Sequence, residues 1–507
     1  MRDTVRAGRL AVKSCRRFES DRFPDLRKTR ATPPPALAAR GEITLDTRGG
    51  RGRRVDGGGC RDSMKPRSMA VCEAREGGAA DEATFALPDL THATAAWQPD
   101  LRDVPQWDDW RWQMRNRLRT PEQLCEFLPG VHAPPGLNEA AARFPFAITP
   151  YYASLIRPGD PADPILQMSL PHARELWDPP FLRDDPLEED ADMPVPGLVH
   201  RYADRALLVA TSACAMYCRH CTRKRTTGAR EGAISEEHLR QAVAYLVRHP
   251  EIVDVIISGG DPLTLSTAAL ERIVQAVRQV PSVEIIRIGT RAPVTLPMRV
   301  TEELVRMLRR YHPLWINTHF NHPRELTPES AAACARMADA GIPLGNQTVL
   351  MRGVNDHPRV IEQLCRGLVR MRVRPYYLFQ CDLVRGVEHF RTPLSRGIEI
   401  MEYLRGRVSG LAIPTFCVDV PHGGGKIPLL PNYVVSVSPT HTVLRNFEGL
   451  MVGYPEPGAH LEAVGPEQAP EGVGVWDLAR GRASAITPTG TARLGRRARG
   501  GGPCASG

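Results

Sequence analysis

The sequence predicts an α/β fold whose parallel strands curl into a barrel or partial barrel. Three observations carry this prediction. Short β-branched runs recur at 206–213, 252–258, 283–288, 314–318, 343–350 and 374–380. The last five begin about 30 residues apart, the length of a strand, a crossover helix and their turns. Amphipathic helices fill the gaps, as at Glu236–Arg248, where Leu239, Val243 and Leu246 share one face. Strand, helix and parallel strand make a right-handed unit, and six in series predict a barrel with its active site at the C-terminal strand ends.

Composition bounds what surrounds that barrel. The 507 residues suffice for two or three average domains, or for one large barrel with extensions. Hydrophobic residues make up 42% and charged residues 24%, which excludes global disorder. The net charge of +9 is unevenly placed: residues 1–70 hold 18 Lys and Arg against 8 Asp and Glu, and residues 478–507 hold 6 Arg and no acid. Removing those +10 and +6 leaves −7 for residues 71–477, so a basic globular face for nucleic acid is not expected. The ends read as solvated, disordered Gly/Pro/Arg arms rather than RNA or membrane binders. Twelve cysteines without an apolar signal-peptide centre point to a reducing, cytoplasmic setting, and no apolar run is long enough to span a membrane.

In chain order, 1–95 is the disordered basic region and 96–200 a helical, wrapping region. Within it, 107–120 interleaves aromatics with arginines, as a nucleic-acid stacking surface does. Trp110, Met114 and Leu118 recur at i, i+4 and i+8, however, which predicts a helix packing one face. Residues 145–196, rich in Pro and acids, read as loops and short helices. The barrel occupies 201–440, a C-terminal extension 441–477, and a second disordered tail 478–507.

The strand-end rule sorts the polar residues. Cys214 follows the first run, Gly259-Gly260-Asp261 the second, Thr290-Arg291 the third, His319 the fourth and Asp382 the sixth, while Gln347 lies within the fifth. Cys214, Cys218 and Cys221 form C-x3-C-x2-C on the loop after the first run. Three thiols so close are metal or cluster ligands far more often than packing. A cubane cluster normally takes four cysteines, so three leave one iron open to a small molecule; zinc with three ligands and water is the rival. A second motif is Val418-Asp-Val-Pro-His-Gly-Gly-Gly-Lys426. Val420 and Ile427 break the Walker A pattern, leaving a triple-glycine turn that ends in one lysine, a flexible surface turn by composition alone.

C-x3-C-x2-C after the first strand of such a barrel resembles the radical S-adenosylmethionine (SAM) superfamily. The resemblance implies a [4Fe–4S] cluster on Cys214, Cys218 and Cys221 whose open iron chelates SAM. It also implies a SAM site at Ser258, Gly259, Gly260 and Asp261, with His319 and Gln347 nearby. Together with the lysine motif, residues 107–457 resemble the lysine 2,3-aminomutase family. That resemblance implies pyridoxal 5′-phosphate (PLP) on Lys426, its phosphate held by Arg201, Tyr202 and Arg205. It implies Arg223 on the substrate α-carboxylate, and Asp382 and Asp419 on a distal ammonium. Two converging carboxylates repel unless a cation lies between them, which favours a long cationic amino acid over glutamate.

The activity so implied is interconversion of L-lysine and β-lysine, by hydrogen abstraction with a 5′-deoxyadenosyl radical and 1,2-amino migration. A flavodoxin or ferredoxin would supply electrons, and a homo-oligomer is expected. Two departures stand out. Residues 454–507 contain only Cys504, and His357 stands where the family carries a zinc-binding cysteine, so the zinc site of some members is expected to be absent. Nothing in the family accounts for the Arg-rich N-terminus. Arginine 2,3-aminomutase is the alternative within the class. An iron–sulfur sensor with basic nucleic-acid-binding arms is the alternative outside it, but it leaves Lys426, Asp382, Asp419 and Arg223 without roles.

Overall fold

The structure, a computed structural model, describes residues 104–131, 136–228, 230–437, 441–447, 449 and 451–455. By contacts the chain divides into Met1–Thr84 and Phe85–Gly507, and every described residue lies in the second unit. The basic arms read at 1–95 and 478–507 lie outside the described residues.

Nine strands form one sheet in sequence order. They are β1 (Leu198–Tyr202), β2 (Arg205–Thr211), β3 (Asp254–Gly259), β4 (Ile285–Gly289), β5 (Leu314–Thr318), β6 (Leu344–Leu350), β7 (Arg374–Gln380), β8 (Thr415–Val420) and β9 (Gly425–Pro428). β2 to β8 are mutually parallel, and β1 and β9 pair antiparallel at the two edges. Sheet order that follows chain order is what successive right-handed crossovers produce, and the sheet curls as a half-barrel. The two edges touch: the Lys426 backbone N–H on β9 donates to Tyr202 Oη on β1 at 3.1 Å.

Side chains alternate along the strands with period two. Val255 and Ile257 of β3, and Ile286 and Ile288 of β4, are fully buried. They share one core with Leu246 of helix Glu236–Arg248 and with Leu270, Val274 and Val277 of helix Thr267–Arg278. Each such burial stabilises the fold by about 1.5–3 kcal/mol. The intervening residues, Ile256, Ser258 and Arg287, are only half-buried. A second apolar cluster, with Phe416, Leu378, Ile400 and Leu404, closes the β7–β8 end.

The runs read at 314–318 and 374–380 coincide with β5 and β7, and the other four overlap β2, β3, β4 and β6. β1, β8 and β9 went unread, as did a separate three-stranded sheet of Val434–Val437, His441–Arg445 and Met451–Pro455. The boundary read after residue 200 falls inside β1. The aromatic-arginine segment is a helix only over Trp110–Arg115. Asn116 ends it, its side chain donating to the Trp112 carbonyl at 2.9 Å in competition with the backbone ladder. Leu118 therefore leaves the helix and bridges Ile148 instead, buried in the main core. Among the described residues no helix is long and apolar enough to cross a membrane.

Candidate active site

The cysteine loop leaves β2 and is fastened from three sides. Arg117, from the N-terminal extension, donates to the Cys214 carbonyl at 2.5 Å and forms a fork with Glu231 at 2.8 Å. Arg219, between Cys218 and Cys221, is buried and forks onto Glu175 at 2.9 and 2.7 Å. Lys224 reaches Glu175 at 3.1 Å and the Gly386 carbonyl at 3.0 Å. Burial pushes the Cys214 and Cys221 thiols up, and the neighbouring cysteine sulfurs push them further, so the three sit within one another's electrostatic reach. Positive iron reverses that direction. Among the described residues no three His, Cys, Asp or Glu side chains close around a point that one metal ion could fill. A cluster whose irons each take one thiolate makes no such demand, so this donor set fits the cluster.

The Gly259-Gly260-Asp261 run is clipped to the same loop. Gly260 N–H donates to the Thr211 carbonyl at 2.6 Å, and Asp261 N–H to the Ala213 carbonyl at 2.8 Å. A Cβ on Gly259, whose φ is +117°, would lie 2.4 Å from the Thr211 oxygen; one on Gly260 would lie 2.4 Å from the Ala213 oxygen. These glycines thus admit the backbone of the cysteine loop. The Asp261 carboxylate is satisfied within the protein, accepting from Thr290 O–H at 2.6 Å, Leu263 N–H at 3.0 Å and Arg291 N–H at 2.8 Å. Gly260→Ala is therefore expected to lose most of the bound iron and sulfide after anaerobic reconstitution. Gly232→Ala, where a Cβ meets nothing within 4 Å, should keep it; iron per folded chain measures both.

The lysine motif forms a tight hairpin. Asp419 and Lys426 are direct cross-strand partners in the β8–β9 register, and Lys426 Nζ donates to Asp419 Oδ2 at 2.9 Å. The turn between them runs through His422 and Gly423, at φ +60° and +70°, and Gly425 at +74°. A Cβ on Gly425 would press to 3.0 Å from Tyr202 Oη. Arg205 lies over the Tyr202 ring at 4.1 Å, and Arg201 pairs with Asp192 at 3.2 Å. Two guanidiniums and a phenol beside a primary amine suit a phosphate-bearing aldehyde cofactor, so these residues fit PLP.

Asp382, just past β7, accepts from Thr222 O–H at 2.6 Å. Burial, and then the charge of Asp419, push its carboxyl up to about 6. The two aspartates therefore lie within electrostatic reach of each other. Asp419 Oδ1 is buried with no hydrogen-bond partner, a capacity left for a further donor. The sequence reading kept the carboxylates apart from the lysine, and here the structure differs: Asp419 already holds Lys426. Arg223 is likewise engaged, donating from Nε and Nη2 to Glu189 at 3.0 and 2.6 Å. Burial alone would raise the Glu189 carboxyl; Arg223, with Arg225 and Arg201, holds it below the ordinary range.

His319, directly after β5, is pushed down to about 4 by burial and by Arg291, so it is neutral at pH 7. Gln347 lies half-buried in β6. His357, the residue in the zinc-cysteine position, caps helix Pro358–Arg370 by accepting from Arg359 N–H. Sequence reasoning missed Glu189 and Thr222, which bond to Arg223 and Asp382, and Glu231 and Glu325, which bond to Arg117 and Arg291 beside the cysteine loop. Only Glu325 left a local trace, in the cap sequence His322-Pro-Arg-Glu325.

Comparison with known proteins fits this geometry. A model described as the Radical SAM superfamily matches residues 208–364, and one described as Lysine-2,3-aminomutase matches 401–501. The L-lysine 2,3-aminomutase of Clostridium subterminale is 50% identical over 400 residues, covering 78% of this chain and 96% of that one. That of Bacillus subtilis (strain 168) is 45% identical over 409 residues, covering 78% and 87%. The glutamate 2,3-aminomutase of Clostridioides difficile (strain 630) is 43% identical over 366 residues, covering 72% and 86%.

Proposed function

The chain belongs to the lysine 2,3-aminomutase family of radical SAM isomerases, and from that premise we propose that it interconverts free L-lysine and β-lysine with PLP as second cofactor. Relatives named for lysine and for glutamate both align over most of the chain, so similarity alone leaves the substrate open. The observation that supports lysine is the buried Asp382–Asp419 pair, occupied on one side by an ammonium on a four-carbon stem. That ammonium belongs to Lys426, and lysine's own distal end has the same chemistry. A glutamate carboxylate would add a third negative charge there.

In this reading Cys214, Cys218 and Cys221 hold the cluster. Ser258, Gly259, Gly260, His319 and Gln347 border the SAM position, with Asp261 bracing its floor through Thr290 and Arg291. Lys426 carries PLP, with Arg201, Tyr202 and Arg205 at its phosphate. When bound, these groups supply the hydrogen-abstracting radical, fed by a one-electron donor such as flavodoxin or ferredoxin, and a π system that stabilises the migrating nitrogen. The protein's own work is positioning. Asp382 and Asp419 fix the distal ammonium, and Arg223 meets the α-carboxylate through Nη1 or by displacing Glu189. The α-amino group is thereby aimed at the position of Lys426, whose amine must leave Asp419 for the substrate's ammonium to enter.

Asp382 gives a pH prediction. Its carboxyl titrates near 6 in the empty site, above the ordinary value, so it is charged above that pH and neutral below it. The kcat/KM for lysine should therefore fall as pH drops through about 6. Asp419→Asn removes a like charge and should move that limb to lower pH. A pH profile without such a limb would count against Asp382 as a binding group. The assignment as a whole is tested by anaerobic reconstitution with iron, sulfide and PLP, followed by lysine, arginine and glutamate in parallel. β-Lysine is the expected product; β-arginine or β-glutamate formed in preference would overturn the lysine assignment.

A further inference from the structure

The Arg291 side chain, just past β4, has no role in the reading above, where only its backbone N–H serves Asp261, yet it is among the most buried cations of the described residues, 7% exposed. Its Nη1 donates to Cys218 Sγ at 2.7 Å. Its Nη2 donates to Glu325 Oε1 at 2.7 Å and to Tyr152 Oη at 3.1 Å. Glu325 is fully buried and accepts as well from Tyr152 O–H at 2.6 Å, Asn321 N–H at 2.5 Å and His322 N–H at 3.0 Å. Arg291 Nη2 also reaches Met168 Sδ at 3.7 Å. The β4 end, the β5 loop and the N-terminal extension thus meet in one network, which reaches the cysteine loop through the N–H···S bond to Cys218. Arg291 Nε is buried without a hydrogen-bond partner, so an acceptor at this end of the fork is expected in the complete site.

We propose that Arg291 is a positioning residue that sets the reduction potential of the cluster, an inference that rests on reading Cys214, Cys218 and Cys221 as cluster ligands. One-electron reduction takes an electron from a low-potential donor and places negative charge on the iron–sulfur unit, with no bond made or broken. A hydrogen bond to a ligand sulfur stabilises that added charge and raises the potential. Glu325 neutralises the guanidinium, so the wild-type effect is that of a directed N–H rather than of a bare buried cation. Removing Arg291 also leaves Glu325 as an uncompensated anion near the cluster, which opposes reduction further.

The charges make the test signed. Wild type, Arg291→Met, Glu325→Gln and the double variant are reconstituted with iron and sulfide and poised against dithionite without substrate. Iron per chain and the reduced-cluster paramagnetic signal are then read. Arg291→Met should shift the reduction equilibrium at least tenfold toward the oxidised cluster, about 59 mV for one electron. Glu325→Gln leaves an unneutralised guanidinium and should shift it the other way. The double variant, with no net change of charge, should lie below wild type but above Arg291→Met. If Arg291→Met does not take up cluster, the signs of Glu325→Gln and the double variant still decide. Cluster-bearing variants with the wild-type midpoint, or single variants shifted in the same direction, would overturn the proposal. A wild type that takes up no cluster would instead sink the reading of the cysteines, a separate failure seen in the iron content.

Discussion

Alanine at Cys214, Cys218 or Cys221 is expected to abolish SAM cleavage and to leave little bound iron, because a cubane would be left with two protein ligands. The loop itself should survive the change. Arg117 on the Cys214 carbonyl, Arg219 on Glu175, and Lys224 on Glu175 and Gly386 anchor it without a cysteine sulfur, and Cys218→Ala loses only the bond from Arg291. Folding and cluster uptake can therefore be separated, the first by thermal melting and the second by iron and sulfide content. The control is Cys381, buried beside Asp382 with its thiol pushed up to about 12, mainly by burial. Cys381→Ser should keep the cluster and SAM cleavage. Wild-type-like iron and methionine release in Cys218→Ala would remove the cluster from this loop, and Arg291 would lose its proposed role with it.

The two halves of the site differed in how legible they were. The parallel strands carry β-branched runs at a regular period, and the rule that function gathers at their C-terminal ends brought Cys214, Asp261, Arg291, His319 and Asp382 together before any coordinates. Composition could not do the same for β8 and β9. Gly425-Lys-Ile-Pro428 is four residues long, begins with Gly and ends with Pro, and reads as a turn. It is a strand because Asp419–Lys426 and Val418–Ile427 pair across it and Tyr202 closes it from the opposite edge of the sheet. Partnerships between distant residues were equally invisible. Glu189 lies in an acidic stretch that reads as a solvated loop, yet it fills the fork of Arg223 34 residues away. Asp261 is a further case: nothing local in Gly259-Gly260-Asp261 announces its bonds to Thr290, Leu263 and Arg291. Local pattern reports which element a residue belongs to; which charges neutralise each other is decided by tertiary packing.

The Asp382–Asp419 pair carries the substrate assignment, and its removal should have a large, selective effect. Asp382→Ala deletes a buried carboxylate and leaves the distal ammonium of lysine without one of its two partners. Such losses cost about 2–5 kcal/mol when the pair is desolvated, so kcat/KM should fall by roughly thirty- to several-thousand-fold. The variants are not equivalent. Asp382→Ala leaves the Lys426–Asp419 pair in place, so PLP uptake, read as absorbance at the violet edge of the visible spectrum, should match wild type. Asp419→Ala also frees the Lys426 ammonium from its 2.9 Å partner, so the rate of PLP uptake should change while substrate binding falls. Asp→Asn at both positions should weaken lysine far more than norleucine, which has the same carbon chain without the charge. Lysine turned over normally by both alanine variants, with cluster and PLP intact, would show that the carboxylates serve Lys426 and not the substrate. The lysine assignment would then fall while the radical chemistry stood.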